Sequence, residues 1–376
     1  MGSETYSREA YSSARSAHTR PGKSATERGE QHVKETGKLN ALVDPAEYGV
    51  IRESRIRLEQ RPDGLWVVVV GAPFTKEYRL DTTGSMGDNV ERAIKVLPQI
   101  CELTATALPG RDHFYCASIF GDVVDQFVLC RGQFEVLAER MVDQLTLMHP
   151  EGSGGDEAED PHYGLFGAAY LTNAYLHRIG LRSYDYTITD APCHERLNVK
   201  TLKRVFGDEV FEKVKENGHQ ISQKDLPTNR ELVDDLKLRA FPFCLLVKGR
   251  TNEGTKRQWQ SVFGAEYVVD LPEIEYVSHV MSVISGLVEG TLDLRSAKDF
   301  LISANLSKVK ACQVVDAVSH IPIGAQCALP NFNRLPKKGD VFAEKADLWP
   351  VDPTEVSSLP SEVTSAEQAG GSGGWL

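Results

Sequence analysis

The sequence lacks the long apolar segments that mark membrane proteins. No run of about 18 apolar residues occurs in the 376-residue chain, so no membrane-spanning helix is expected. The longest apolar stretch, residues 65–70, has the length of a strand. The polar residues 1–40 contain no apolar segment of the signal-peptide type, which favours a cytoplasmic location.

Cysteine pairs and nucleotide-binding motifs are also missing. The seven cysteines are scattered, and none forms a Cys-x-x-Cys pair, so free thiols in a reducing compartment are favoured over disulfides or a zinc ribbon. No Gly-x-Gly-x-x-Gly follows the first main strand, and no Gly-x-x-x-x-Gly-Lys-[Ser/Thr] occurs. The net charge of −11 opposes nucleic acid as the main partner, whereas acidic loops attract cations.

The composition, with 41% apolar and 25% charged residues, is typical of a globular protein with one substantial core. Four segments are expected. They are a disordered segment (1–45), a main domain that begins with a hairpin (46–292), a helical extension (293–356) and a flexible acidic tail (357–376). The terminal Trp375 and Leu376 are either a neutral chain end or a short docking peptide.

Strand-like and helix-like patterns alternate through the main domain. Short apolar runs such as 184–189 and 241–247 follow segments with apolar residues at helical spacing, such as 88–103. This alternation predicts an α/β fold, with a doubly wound, mostly parallel sheet that is covered by helices on both faces. In such sheets, ligands bind at the carboxyl ends of the strands.

Three loops at that edge carry carboxylates or hydroxyls. The first holds Asp81, Thr83 and Ser85 between a strand and a helix. The second, residues 152–157, precedes a helix, and the third places Asp190 directly after a strand. Carboxylate and hydroxyl oxygens are ligands that suit Mg²⁺. These loops are therefore candidates for a divalent-cation site.

The motif Asp81-x-Thr83-x-Ser85 resembles the metal-ion-dependent adhesion site of von Willebrand factor A (vWA) domains of the cytoplasmic and bacterial type. The string at residues 188–192, with Asp190, resembles the third metal loop of that family, and the resemblance extends over about residues 59–292. It implies a Rossmann-like fold and bound Mg²⁺ or Mn²⁺. It also implies an intracellular adaptor or scaffold, not an enzyme, in which a partner protein's acidic residue completes the metal shell. A MoxR-type AAA+ ATPase is one such partner.

The second loop departs from the family pattern because it contains no threonine between Met148 and Asp160. Ser153 or Asp156 is the candidate replacement. Simpler interpretations remain open, since Asp81 could cap the following helix and residues 156–160 could be a solvated helix start.

The alternative function is a Mg²⁺-dependent phosphohydrolase of the haloacid-dehalogenase type, with Asp81 as nucleophile. That chemistry typically uses a second acid two residues further on for proton transfer, and here Thr83 occupies that position. The sequence therefore favours the binding module.

Overall fold

The computed structural model describes residues 24–330 apart from 53–55, 61–65, 71–72, 110, 136–137, 153, 156 and 179. The expected acidic tail and the terminal Trp375 and Leu376 lie outside the described residues. No helix in the described part is both long and apolar enough to cross a membrane.

Strands and helices alternate along the described chain. The strands are β1 (Ile51–Arg52), β2 (Ile56–Gln60), β3 (Trp66–Val70), β4 (Pro73–Asp81), β5 (Asp112–Phe120), β6 (Leu129–Arg131), β7 (Thr172–Asn173), β8 (Ser183–Thr189), β9 (Ala240–Val247) and β10 (Val268–Leu271). The helices are α1 (Glu27–Thr36), α2 (Asn89–Val96), α3 (Gln99–Ala107), α4 (Ala138–Leu147), α5 (Pro161–Tyr170), α6 (Tyr175–Arg178), α7 (Val199–Phe206), α8 (Val210–Glu216), α9 (Asn229–Lys237), α10 (Glu253–Phe263), α11 (Val277–Glu289), α12 (Leu294–Ser303) and α13 (Lys308–Val318).

Six strands form the central sheet in the order β10-β9-β8-β4-β5-β6. All neighbours are parallel except β6, which runs antiparallel to β5 at one edge. Strands β4, β5 and β6 follow one another toward one edge of the sheet. Strands β8, β9 and β10 then follow one another from β4 toward the opposite edge. The carboxyl ends of β4 and β8 therefore meet at the switch point of the sheet, where doubly wound folds bind ligands. The expected doubly wound α/β fold is confirmed.

Helices cover both faces of the sheet, and this explains the nearly continuous apolar runs of the inner strands. Successive residues of β9 point to opposite layers, so that Phe243 and Leu245 join one apolar core while Cys244 and Leu246 join the other. The first core includes α2, α3 and α11, and the second includes α5, α9 and α10.

Helices α12 and α13 lie within the expected helical extension, whose residues 331–356 are outside the described part of the chain. Buried residues from both, such as Leu301 and Val314, belong to the same core as the sheet. They therefore extend the first helical layer. The predicted hairpin is also present, with β2 antiparallel to β3 and Ile56 opposite Val70.

The N-terminal segment differs from the expectation of disorder up to residue 45. Helix α1 packs on α4, and Gly29 lies so close that a Cβ there would be 2.1 Å from the Met148 carbonyl oxygen. Leu39 and Val43 are buried in the first core. The prediction is therefore wrong for residues 24–45. Few apolar residues suffice here because each one fills a place in a core that the rest of the chain builds.

Candidate functional site

The first loop begins at Asp81, the last residue of β4, whose side chain is fully buried. Thr83 donates to Asp81 Oδ1 through its backbone N–H (2.9 Å) and its hydroxyl (2.7 Å). Thr189, at the end of β8, donates its hydroxyl to Asp81 Oδ2 (2.6 Å). Oδ1 is thus held by the loop that follows Asp81, and Oδ2 is held by the neighbouring strand β8. Burial raises the pKa of Asp81 to about 6, and these hydrogen bonds oppose the rise.

Ser85 connects the first loop to the third. Its hydroxyl donates to Asp190 Oδ1 (2.6 Å), and its oxygen lies 3.2 Å from the Thr83 hydroxyl oxygen. Ser85 is exposed, whereas Asp190 is buried. The four residues Asp81, Thr83, Ser85 and Asp190 therefore form two hydrogen-bonded pairs, Thr83 with Asp81 and Ser85 with Asp190, and the hydroxyl oxygens of the two pairs lie in contact.

Helix α10 holds the third loop in place. The Trp259 indole N–H donates to the Ala191 carbonyl (2.9 Å). Gln258 makes two bonds to Cys193, donating to its carbonyl (2.9 Å) and accepting from its N–H (3.0 Å). The segment that directly follows Asp190 is thus hydrogen-bonded to α10. These bonds hold Asp190 in place at the end of the loop.

The second loop contributes Glu159, a residue that was not among the predicted ligands. Ser153 and Asp156 lie outside the described residues, so their proposed role is untested. Glu159 is buried, and its Oε2 has no hydrogen-bond partner among the described residues. Burial, followed by the nearby charge of Asp81, raises the pKa of Glu159 to about 8, although a hydrogen bond with Thr83 opposes the rise.

A sequence signal for Glu159 did exist. Helix α5, which begins two residues later, is apolar on all sides and completely buried. Glu159 and Asp160, which directly precede this helix, are buried with it and do not form the solvated helix start considered for residues 156–160, whereas Glu157 is exposed. A carboxylate forced into the protein in this way needs a compensating partner.

These loops open into a crevice of about 910 Å³ at the switch point. Three carboxylates line it, from Glu157, Glu159 and Asp190, and one cation, Arg250, faces them. The Arg250 guanidinium also donates to the backbone carbonyl of Ser85. The lining of the crevice therefore carries both acidic groups and a basic group.

The donor set fits a hard divalent cation such as Mg²⁺ or Mn²⁺. The hydroxyl protons of Thr83 and Ser85 are directed at carboxylates, so lone pairs of the two hydroxyl oxygens lie close together. Glu159 Oε2 is a buried acceptor without a donor. Oxygens of this kind are the ligands that Mg²⁺ selects.

Comparison with known proteins identifies no close relative. No family model matches the chain, and no curated protein matches it. Among solved structures, the pilus adhesin SpaC from Lactobacillus rhamnosus GG is 12% identical with a TM-score of 0.38, over 62% of this chain and 34% of the adhesin. Proximal thread matrix protein 1 from the mussel byssus is 14% identical with a TM-score of 0.36, over 59% of this chain and 48% of that protein. The chain thus matches between one third and one half of the length of these proteins. Similarity at this level does not indicate a function.

Proposed function

We propose that the protein is a divalent-cation-dependent protein-binding module of the vWA type, which acts as an adaptor or scaffold in an intracellular assembly. The observation that carries the proposal is the grouping of Asp81, Thr83, Ser85 and Asp190 at the switch point of the sheet, where both hydroxyls donate to carboxylates and their oxygens lie 3.2 Å apart. A Mg²⁺ or Mn²⁺ ion held there would supply positive charge for an oxygen ligand from outside.

The charges around the crevice favour an acidic group on the partner. The carboxylates of Glu157 and Asp190 line the crevice and would repel another carboxylate, so a bound cation is needed before an acidic side chain can enter. Arg250 also lines the crevice and can pair with the second oxygen of that carboxylate. Binding of the partner should therefore depend on the cation. A MoxR-type AAA+ ATPase remains a partner suggested by family resemblance.

A role for Asp81 as the nucleophile of a phosphohydrolase is disfavoured by its surroundings. The side chain is fully buried, and both oxygens accept hydrogen bonds from Thr83 or Thr189. An oxygen in that position lacks the access that attack on a phosphate ester requires. A role in cation binding does not require a phosphate ester to reach Asp81.

The test is capture of partner proteins with and without Mg²⁺, using the wild-type protein and two variants. Asp81→Asn should abolish Mg²⁺-dependent capture. Asp88→Asn, which removes one charge from an exposed residue seven positions further on, should leave it unchanged. An identical set of captured proteins in the absence of Mg²⁺ would count against the proposal. Phosphate-ester hydrolysis that disappears in Asp81→Asn would support the phosphohydrolase instead.

A further inference from the structure

A group of side chains that could hold a metal ion lies beside the Asp81 site. Asp122 follows β5, Asp160 immediately precedes α5, and His194 lies in the segment after β8. One ligand atom from each side chain lies within 4.8 Å of the other two. The group therefore joins three loops that are distant in sequence.

Backbone amides fix the orientation of both carboxylates. Asp122 accepts hydrogen bonds from the N–H groups of Val124 (3.0 Å) and Gly155 (2.9 Å). Asp160 Oδ2 accepts from the N–H of Val123 (2.7 Å). Each side chain is only 2% exposed. Two buried carboxylates in one place repel each other unless a proton or a cation lies between them.

A buried histidine gives a second, independent indication of a missing ligand. His162 is fully buried, and neither of its ring nitrogens has a hydrogen-bond partner among the described residues. Its Nε2 lies 3.4 Å from Asp160 Oδ1, so this orphaned nitrogen faces the cluster. An imidazole buried without a hydrogen bond is costly, and coordination of a metal would remove that cost.

We propose that Asp122, Asp160 and His194 form a second cation site, with His162 as the adjacent fourth donor, and that this site takes Zn²⁺. Mixed imidazole and carboxylate ligands suit Zn²⁺, whereas Mg²⁺ prefers oxygen ligands alone. The site is separate from the Asp81 loop and does not depend on the proposed binding function.

The position of this site gives it a structural role. Asp160 follows Glu159 directly, and Asp122 holds the N–H of Gly155 in the second loop. A Zn²⁺ ion here links the second and third loops from behind the crevice. It thereby fixes Glu159 relative to Asp81.

The test is titration of the metal-free full-length protein with Zn²⁺ alone, in competition with a chromogenic chelator. Cys312 and Cys327, the two thiols that are not buried among the described residues, are replaced by Ser in every protein so that they do not bind Zn²⁺. Wild type and Asp81→Asn should each bind one tight equivalent. His194→Ala and Asp122→Asn should each lose at least about tenfold in affinity, the lower end of the loss seen even for groups that only support a ligand. The control His32→Ala, on α1, should bind as wild type does.

A measurement on the wild-type protein guards against variants that fail to fold. Imidazole ¹⁵N resonances of His194 and His162 should shift on addition of one equivalent of Zn²⁺, whereas those of His32 should not. Unchanged Zn²⁺ affinity in folded His194→Ala and Asp122→Asn would overturn the proposal. Loss of Zn²⁺ in Asp81→Asn, or imidazole resonances that do not move, would overturn it as well.

Discussion

At the scale of single residues, the candidate site contains two buried carboxylates with different surroundings. Asp81 accepts three hydrogen bonds, which favour its ionised form. Glu159 has an oxygen without a donor and lies near the charge of Asp81, so ionisation is harder for it. This contrast suits a site in which Asp81 is a fixed acceptor and Glu159 ionises when a cation is present.

The raised pKa of Glu159 predicts a pH dependence of stability in the absence of divalent cations. The pKa is about 8 in the folded protein and near the ordinary value of 4.5 in the unfolded chain. Between these values the folded state binds more protons than the unfolded state, so the free energy of unfolding should fall as pH rises through this window. Urea unfolding of Glu159→Gln in a chelator should show a smaller fall than wild type.

The matched control for that measurement is Glu157→Gln, an exposed carboxylate in the same loop. It should retain the wild-type slope. An identical slope for Glu159→Gln and wild type would show that Glu159 does not hold its proton in the folded protein.

The same two residues show what sequence could and could not reveal. Asp81, Thr83 and Ser85 lie at alternate positions of one loop, so their grouping is visible in a short string. Glu159 reaches the site because the buried helix α5 starts beside it, and the only local sign of this is the apolar character of that helix.

At the scale of elements, buried ion pairs connect the strands that carry the site. Arg79 of β4 makes a bidentate pair with Asp185 of β8, with distances of 2.6 and 2.5 Å, and all the groups are buried. Arg131 of β6 pairs in the same way with Glu77 of β4, at 2.8 and 3.0 Å. These pairs lie in the sheet below the switch point, so they fix β4 relative to its partners.

Removing one member of such a pair should be costly. Arg79→Met leaves Asp185 buried without its partner and should lower the free energy of unfolding by about 3–5 kcal/mol. The double variant Arg79→Met with Asp185→Leu should recover much of this loss, because no unpaired charge remains. Urea unfolding of both proteins checks the prediction, and a double variant that is no more stable than Arg79→Met would contradict it.

Helix α10 offers a test of how the third loop is supported. Trp259→Phe removes the hydrogen bond to the Ala191 carbonyl and leaves that buried acceptor unpaired, at a cost of about 1–3 kcal/mol. Because Ala191 follows Asp190, the affinity for Mg²⁺ should also fall. Ser261→Ala, an exposed change on the same helix, is the control. Unchanged stability and affinity in Trp259→Phe would show that the loop does not depend on α10.

Element boundaries were harder to predict than element types. The expected helix at residues 88–103 is two helices, α2 and α3, and Pro98 immediately precedes the second. Helix α5 ends at Tyr170, and residues 172–173 then form the short strand β7, which pairs with β1. The partner strand is about 120 residues away in the sequence, and local periodicity carries no information about it.

At the scale of the whole molecule, the doubly wound, mostly parallel sheet was accessible from the sequence and the N-terminal packing was not. Alternating strands and helices restrict the chain to few topologies. In such a sheet, polar loops at the carboxyl ends of the strands are expected to meet near the switch point. Helix α1 has a polar composition, and its place against α4 depends on the close approach at Gly29.

That close approach predicts the effect of enlarging Gly29. A Cβ there would lie 2.1 Å from the Met148 carbonyl oxygen and 2.4 Å from that of Leu147, so the helix must move away. Gly29→Ala should lower the free energy of unfolding by about 1–3 kcal/mol and speed amide exchange in residues 27–36. Gln31→Ala, on the exposed side of α1, should change neither. Equal exchange rates in Gly29→Ala and wild type would show that α1 does not pack on α4 in solution.

The central claim is that the Asp81 loop binds a divalent cation, and calorimetric titration with Mg²⁺ tests it most directly. Mg²⁺ is the appropriate probe because it prefers oxygen ligands and so discriminates against the histidine-containing cluster. Wild type and Asp88→Asn should each bind one equivalent, whereas Asp81→Asn should bind none while keeping the wild-type circular dichroism spectrum. Equal Mg²⁺ binding by Asp81→Asn and wild type would contradict the account.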